Sequence, residues 1–150
     1  MSRETLHITN LRLQLGDKLL CRNLNLSITP GQSWGLLGRN GAGKTTLLHC
    51  ILGVQQPLSG TIRIGDRDCR EIARRELATR VGMLFQEGVG SLPATVMETV
   101  MLGRHPHARS LFSDSDADIS AARHALEAFD LTHLAERQVD SLSGGEQQRL

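Results

Sequence analysis

The sequence predicts an α/β fold, and three observations along the chain support this class. Leucines alternate with polar residues over residues 11–15 and 24–28, the pattern of strands that bury one face. The glycine-rich residues 38–43 follow a short apolar run and open a predicted helix. After residue 94, apolar side chains recur at helical spacing. We therefore expect a mixed core of strands and helices, followed by a helical segment.

The composition is that of an ordinary globular chain. Of the 150 residues, 39% are hydrophobic and 22% are charged, which argues against a disordered polypeptide. The formal net charge of +1 gives no reason to expect a nucleic-acid partner. No apolar run is long enough to cross a bilayer. Only two lysines, Lys18 and Lys44, stand among the 17 basic residues, so a lysine at a special position is conspicuous.

The first ninety residues predict strands around one helix. The two alternating segments at the start predict antiparallel strands, and residues 34–38 predict a buried strand with Trp34 in the core. Residues 44–52 predict a helix that ends at Gly53. A short strand at 61–64, a charged helix at 70–79 and a second buried strand at 81–85 complete this half.

The remaining residues predict helices with recognisable starts. Thr95 and Glu98 form a capping box ahead of an apolar stretch. Residues 115–130 predict an amphipathic helix, and 105–114 predict a polar loop whose two histidines are exposed rather than metal ligands.

Residues 38–46 match the pattern G-x-x-x-x-G-K-[ST] of a phosphate-binding loop. Glycines let backbone N–H groups converge on a polyphosphate, and the following helix directs its positive end at the same anion. Lys44 would place its charge on the β- and γ-phosphates, and the Thr45 hydroxyl would bind Mg²⁺. A turn that merely caps a helix would explain neither side chain. The predicted phosphate-binding residues are Gly38, Arg39, Asn40, Gly41, Ala42, Gly43, Lys44, Thr45 and Thr46.

A second informative stretch, Leu-Ser-Gly-Gly-Glu-Gln, spans residues 142–147. Ser143 and Glu146 form a capping box, so a helix begins at Ser143. Gly144 and Gly145 then occupy its first turn, although each glycine costs about 1 kcal/mol relative to alanine inside a helix. Taken alone, this segment is either an ordinary capped helix or a place where an anion approaches the backbone.

The phosphate loop followed by Leu-Ser-Gly-Gly-Glu resembles the nucleotide-binding domain of the ABC (ATP-binding cassette) ATPases. The resemblance implies a P-loop NTPase (RecA-like) core with an N-terminal antiparallel β-element in residues 1–90, and a helical subdomain with the signature motif in 91–150. It implies ATP and Mg²⁺ as cofactors. The implied signature contacts to the ATP of a partner copy come from Ser143, Gly144, Gly145, Glu146 and Gln147.

The resemblance also assigns two further positions and one departure. Gln86, after the apolar run 81–85, would lie near Mg²⁺ and the attacking water. An aromatic residue usually stacks on adenine in this family, but the matching position is Leu15 and the chain has no tyrosine. An aliphatic side chain covers the ring by contact only.

The acidic residues expected downstream are missing from this sequence. In the family an apolar strand ends in Asp-Glu, and the Glu polarises the attacking water. No such run occurs in residues 1–150, and neither does the switch histidine, so this chain offers no catalytic base. We expect a truncated domain, incomplete at its C-terminus, that alone binds nucleotide weakly or not at all and does not hydrolyse it.

The complete protein is then expected to be the ATP-hydrolysing, energy-coupling subunit of a membrane transporter. Residues 95–107 and 131–140 look most like importers of the iron-siderophore, haem or cobalamin type. The implied partners are a second ATP-binding subunit and integral membrane permease subunits, at the cytoplasmic face of the inner (plasma) membrane. Two alternatives stay open: a soluble ABC-type ATPase switch without a transport role, and a nucleotide-binding fragment without catalysis.

Overall fold

The computed structural model describes residues 4–84, 93–108 and 115–150. The chain groups into two units, Met1–Gly82 and Met83–Leu150. No helix in the described ranges is both long and apolar enough to cross a membrane.

The first unit is built on a four-stranded antiparallel sheet. Its elements in chain order are β1 (Leu6–Leu15), β2 (Lys18–Ile28), α1 (Lys44–Ile51), β3 (Ser59–Ile64), β4 (Arg67–Asp68) and α2 (Arg74–Ala78). The strands lie in the order β2-β1-β3-β4. β1 and β2 pair antiparallel, which confirms the prediction for the first thirty residues. The buried core side chains come from the strands, the helices and the turn after β4: Ile8, Leu11, Leu13, Leu47, Cys50, Ile62, Ile64, Cys69, Ile72 and Leu77.

A close approach of backbones joins β1 to the start of β3. The register of the β1–β3 pair shifts between Thr9 and Arg12, and Asn10 there has a φ of 49°. Gly60 sits against this irregularity with a φ of +93°, and a Cβ added to it would lie 2.6 Å from both the Asn10 oxygen and the Leu11 Cα. Both the backbone conformation and the lack of space therefore require glycine at this position.

The second unit is helical. Its elements are α3 (Val96–Leu102), α4 (Asp116–Ala128), two short 3₁₀ turns (Thr132–Leu134 and Val139–Ser141) and α5 (Gly144–Arg149). The predicted capping box is confirmed, since the Thr95 hydroxyl accepts from the Glu98 N–H and the Glu98 carboxylate accepts from the Thr95 N–H at 2.7 Å. The buried side chains that pack together are Val96, Leu126, Leu131, Leu134, Val139 and Leu142.

A buried carboxylate fixes the start of α4. Asp118 accepts a hydrogen bond from the Ser115 hydroxyl at 2.6 Å and from Arg104 Nε at 3.0 Å. These bonds, the one from Ser115 first, hold the pKa of Asp118 below its usual value. The ionised carboxylate near the positive end of the helix also favours the helical conformation.

The predicted buried strand at residues 34–38 is wrong. These residues form no strand, Trp34 is 57% exposed instead of lying in the core, and Leu37 is 94% exposed. The Trp34 indole N–H donates to Gln32 Oε1 at 3.1 Å. An apolar run becomes a buried strand only when neighbouring strands pair with it, and no strand of the described residues does so.

The elements predicted at 70–79 and 81–85 are also corrected. The helix covers only Arg74–Ala78, because the Arg70 N–H donates to the Asp68 carboxylate in a turn instead of entering a helix. Residues 81–84 form no strand, and Leu84 is 90% exposed. Phe85 and Gln86 lie outside the described residues.

We expect Gly60→Ala to lower the free energy of unfolding by about 3 kcal/mol, because it combines a strained φ with a backbone clash. Gly16→Ala is the matched control, since Gly16 has a φ of +55° but nothing within 4 Å, and its cost should be about 1 kcal/mol. Urea unfolding of both variants measures the difference. Equal losses would show that the close approach at Gly60 contributes nothing.

Candidate nucleotide-binding site

The loop at residues 38–43 contains two positions whose backbone conformation favours glycine. Gly41 and Gly43 have φ values of +73° and +97°, in the left-handed region. A turn closes the loop, with the Ala42 N–H donating to the Arg39 oxygen at 3.1 Å. A Cβ on Gly43 would lie 3.0 Å from the side chain of Leu20 on β2. Leu20 therefore packs directly against the backbone at the point where the loop enters α1.

The N-terminus of α1 keeps its backbone donors open. Gly43 is the N-cap residue, and no side chain of the described chain caps the helix. The first intrahelical bond runs from the Leu47 N–H to the Gly43 oxygen at 2.9 Å, so the N–H groups of residues 44–46 have no partner within the helix. The first turn carries no acidic residue that would repel an anion. These are the features of an anion-binding helix start.

The side chains that follow the loop differ in where they lie. Lys44 Nζ donates to the backbone oxygens of Gly38 at 2.7 Å and Arg39 at 3.1 Å, so its ammonium group lies over the loop. Thr45 is exposed, which leaves its hydroxyl accessible to a metal ion, whereas Thr46 is buried in the unit. Arg39, Asn40 and Ala42 are exposed and contribute backbone to the curve of the loop.

Magnesium would find one protein ligand here, the Thr45 hydroxyl. Among the described residues no group of three or more His, Cys, Asp or Glu side chains is arranged to hold a metal ion. Mg²⁺ characteristically keeps several waters and binds through one or two protein groups together with substrate phosphates. The donor set therefore fits a metal that arrives with a polyphosphate, rather than one held by the protein alone.

The turn between β1 and β2 lies beside the loop. Leu15 and Lys18 are opposite each other in the antiparallel ladder, so their side chains lie on the same face of the hairpin. Lys18 Nζ donates to the Gly41 oxygen at 3.3 Å, which brings this face to the phosphate loop. Leu15, the predicted adenine contact, is 59% exposed there. The contact by Lys18 was not predicted, and the scarcity of lysines was the only signal that pointed to it.

The signature segment begins α5 through the predicted capping box. The Glu146 carboxylate accepts from the Ser143 N–H and hydroxyl, both at 2.7 Å, and the Ser143 Oγ accepts from the Glu146 N–H at 3.4 Å. The hydrogen bonds from Ser143 lower the pKa of Glu146. The Gln147 amide donates to the oxygens of Val139 and Leu142 at 3.2 and 3.4 Å. The side chains of Glu146 and Gln147 thus position the helix start from within their own unit.

The two signature glycines are not required by anything within the described chain. Neither Gly144 nor Gly145 has a positive φ, and a Cβ built on either would meet nothing within 4 Å. Both residues are exposed at the start of the helix. Glycine, which is unfavourable in a helix, therefore occupies two positions where the structure has room for a side chain.

Gly145→Ala should therefore leave the fold intact and raise the free energy of unfolding by up to about 1 kcal/mol, because alanine favours the helix and meets open space. Gly43→Ala is the contrasting variant and should destabilise, since its Cβ would press on Leu20 at a φ of +97°. Thermal or urea unfolding measures both. A destabilised Gly145→Ala chain would contradict the open surroundings of that residue.

The candidate residues fall into two groups. The phosphate loop, Leu15 and Lys18 lie together in the first unit, and the signature residues lie in the second. Gln86, the predicted metal neighbour, lies outside the described residues. The exposed histidines His105 and His107 belong to no metal cluster among the residues that the structure describes.

Comparison with known proteins supports the resemblance to the ABC ATPases. The family model described as ABC transporter matches residues 21–150. The hemin import ATP-binding protein HmuV of Bordetella pertussis is 40% identical over 146 residues, 97% of this chain and 55% of that protein. The ferric enterobactin transport ATP-binding protein FepC of Escherichia coli K12 is 34% identical over 139 residues, 93% and 51% of the two chains.

The backbone of this chain is also similar to that of a solved structure. That structure is an ABC transporter described as of metal-chelate type, in an inward-facing conformation, with a TM-score of 0.78 and 29% identity. The match covers 98% of this chain and 53% of that chain. The predicted fold class is confirmed, and the chain spans about half the length of the curated relatives it matches.

Proposed function

The chain belongs to the ABC transporter family, and from this we propose that it is the phosphate-binding part of an ATP-hydrolysing subunit that drives import of haem or an iron chelate. The observation that carries the proposal is the loop at residues 38–46, where a glycine backbone, an uncapped helix start and Lys44 converge. The relatives named for hemin and ferric enterobactin import support the cargo class.

The residues of the loop would divide the work of holding MgATP. Backbone N–H groups at the start of α1 would donate to the phosphate oxygens. Lys44 would leave the carbonyls of Gly38 and Arg39 and pair with the β- and γ-phosphates, since a charge-assisted bond to phosphate is the stronger one. Thr45 would bind the metal that accompanies the nucleotide, and Leu15 would cover the adenine ring by van der Waals contact.

A bound Mg²⁺ would neutralise negative charge on the phosphates while the γ-phosphoryl group is transferred to water. Gln86 would contribute to holding the metal, as the family resemblance implies. No residue among 1–150 is assigned the activation of water, because no apolar run in this sequence ends in Asp-Glu. Residues 1–150 would therefore bind ATP, and hydrolysis would need a water-activating acid that these residues do not include.

The signature segment would act on the nucleotide of a second copy. In the proposed head-to-tail dimer, Ser143, Gly144 and Gly145 of one copy meet the γ-phosphate held by Lys44 of the other. The open space at both glycines supports this arrangement, because it leaves room for a ligand that the chain itself does not supply. Membrane permease subunits would be the further partners, with the ATP-binding subunit attached to the cytoplasmic face of the membrane.

Lys44→Ala in the complete protein should weaken MgATP binding roughly 10- to 100-fold, the loss expected for a charge-assisted hydrogen bond. Isothermal titration calorimetry measures the dissociation constant. Arg12→Gln removes one exposed positive charge from β1 and should leave the affinity unchanged. Unaltered binding by the Lys44→Ala variant would remove the central role that we give this lysine.

Mixed dimers can test whether the signature acts across the interface. One dimer carries Lys44→Ala in one copy and Gly145→Ala in the other; a second carries both changes in the same copy. If the signature acts in trans, the first dimer keeps one intact site and traps one ATP, whereas the second has both sites impaired. The reverse result, with one ATP retained only when both changes share a copy, would place the signature on its own copy's nucleotide.

A further inference from the structure

Lys18 has a place at the phosphate loop that no motif assigns to it. The chain contains two lysines among 17 basic residues, and both donate to backbone oxygens of the same loop. Lys44 donates to Gly38 and Arg39, and Lys18 donates to Gly41, which follows it by 23 residues in the sequence. The second ammonium group therefore stands beside the curve of glycines that forms the cradle.

The hairpin fixes Lys18 in this position. Lys18 lies directly across from Leu15, on either side of the two-residue turn at 16–17. Further along the hairpin the register shifts between Leu13 and Gln14, which leaves Leu20 without a partner in the ladder, and the Leu20 side chain packs against Gly43. Two successive contacts thus join the hairpin to the loop, one apolar at Gly43 and one polar at Gly41.

The present partner of Lys18 is a weak one. Its single bond to the Gly41 oxygen is 3.3 Å long and exposed to water. A phosphate oxygen carries full negative charge and forms shorter and stronger bonds to an ammonium group than a neutral carbonyl does. An incoming polyphosphate would therefore displace the carbonyl as the acceptor.

We infer that Lys18 is a second cation that binds the phosphates of the nucleotide, in addition to Lys44. The inference rests on the proposed nucleotide-binding function and deepens it. Leu15 cannot stack on adenine as an aromatic ring would. The hairpin would therefore contribute to binding more through the charge of Lys18 on the phosphates than through contact of Leu15 with the base. The site would consequently discriminate ligands by their phosphates.

The test uses the complete protein and two ligands, MgATP and inorganic tripolyphosphate, which has the phosphates without sugar or base. Lys18→Gln should weaken binding of both about three- to tenfold at low salt. The loss should shrink as ionic strength rises, because an exposed charge is screened. Lys18→Arg should retain most of the affinity. Melting temperature verifies that each variant is folded.

Arg12→Gln is the matched control. Arg12 carries the same charge on the same hairpin, but it alternates with the buried Leu11 and Leu13 and so points away from the face of Leu15. An equal loss in this variant would reduce the effect of Lys18 to long-range charge and overturn the inference. A loss for MgATP without a loss for tripolyphosphate would also overturn it, since Lys18 would then contact sugar or base.

The outcomes separate this inference from the function on which it rests. If Lys44→Ala abolishes binding of both ligands while Lys18→Gln changes neither, the nucleotide site stands and the role of Lys18 falls. If neither lysine affects either ligand, the proposed function falls with it.

Discussion

The packing of Leu20 against Gly43 is the contact on which the candidate site depends. It brings β2 to the residue where the phosphate loop becomes α1. A Cβ built on Gly43 would lie 3.0 Å from the Cβ and Cδ1 atoms of Leu20. A side chain at this position would push the loop from the hairpin and would strain a φ of +97°. The contact by Lys18 lies two residues away, at Gly41, so the hairpin meets the loop at both of these glycines.

The two ends of α1 differ in how they are held. α1 buries Leu47 and Cys50 among the side chains of the sheet, while its N-terminus stays open. Burial raises the pKa of Cys50, so its thiol stays neutral and behaves as an apolar core group. One end of the helix is therefore held by apolar packing, and the other end is left with the unpaired N–H groups that an anion needs.

Features that depend on residues close in sequence could be predicted, and features that depend on distant partners could not. Both capping boxes are confirmed, since a Ser or Thr and a Glu three residues later suffice to form them. The buried strand at residues 34–38 is wrong, because composition alone does not supply the neighbours that would pair with it. The bond from Lys18 to Gly41 joins residues 23 apart in the sequence, so no local pattern predicts it.

The glycines show how structure can separate an internal requirement from an external one. At Gly43 and Gly60 the chain itself demands glycine, through positive φ and through neighbours 3.0 Å or less from a built Cβ. At Gly144 and Gly145 neither reason applies, yet the helix carries the destabilising residue twice in its first turn. A sequence cannot distinguish these cases, because the letter is the same. Among the described residues nothing contacts a Cβ built at Gly144 or Gly145, and this open space is the observation that supports our proposal of a ligand bound at the signature.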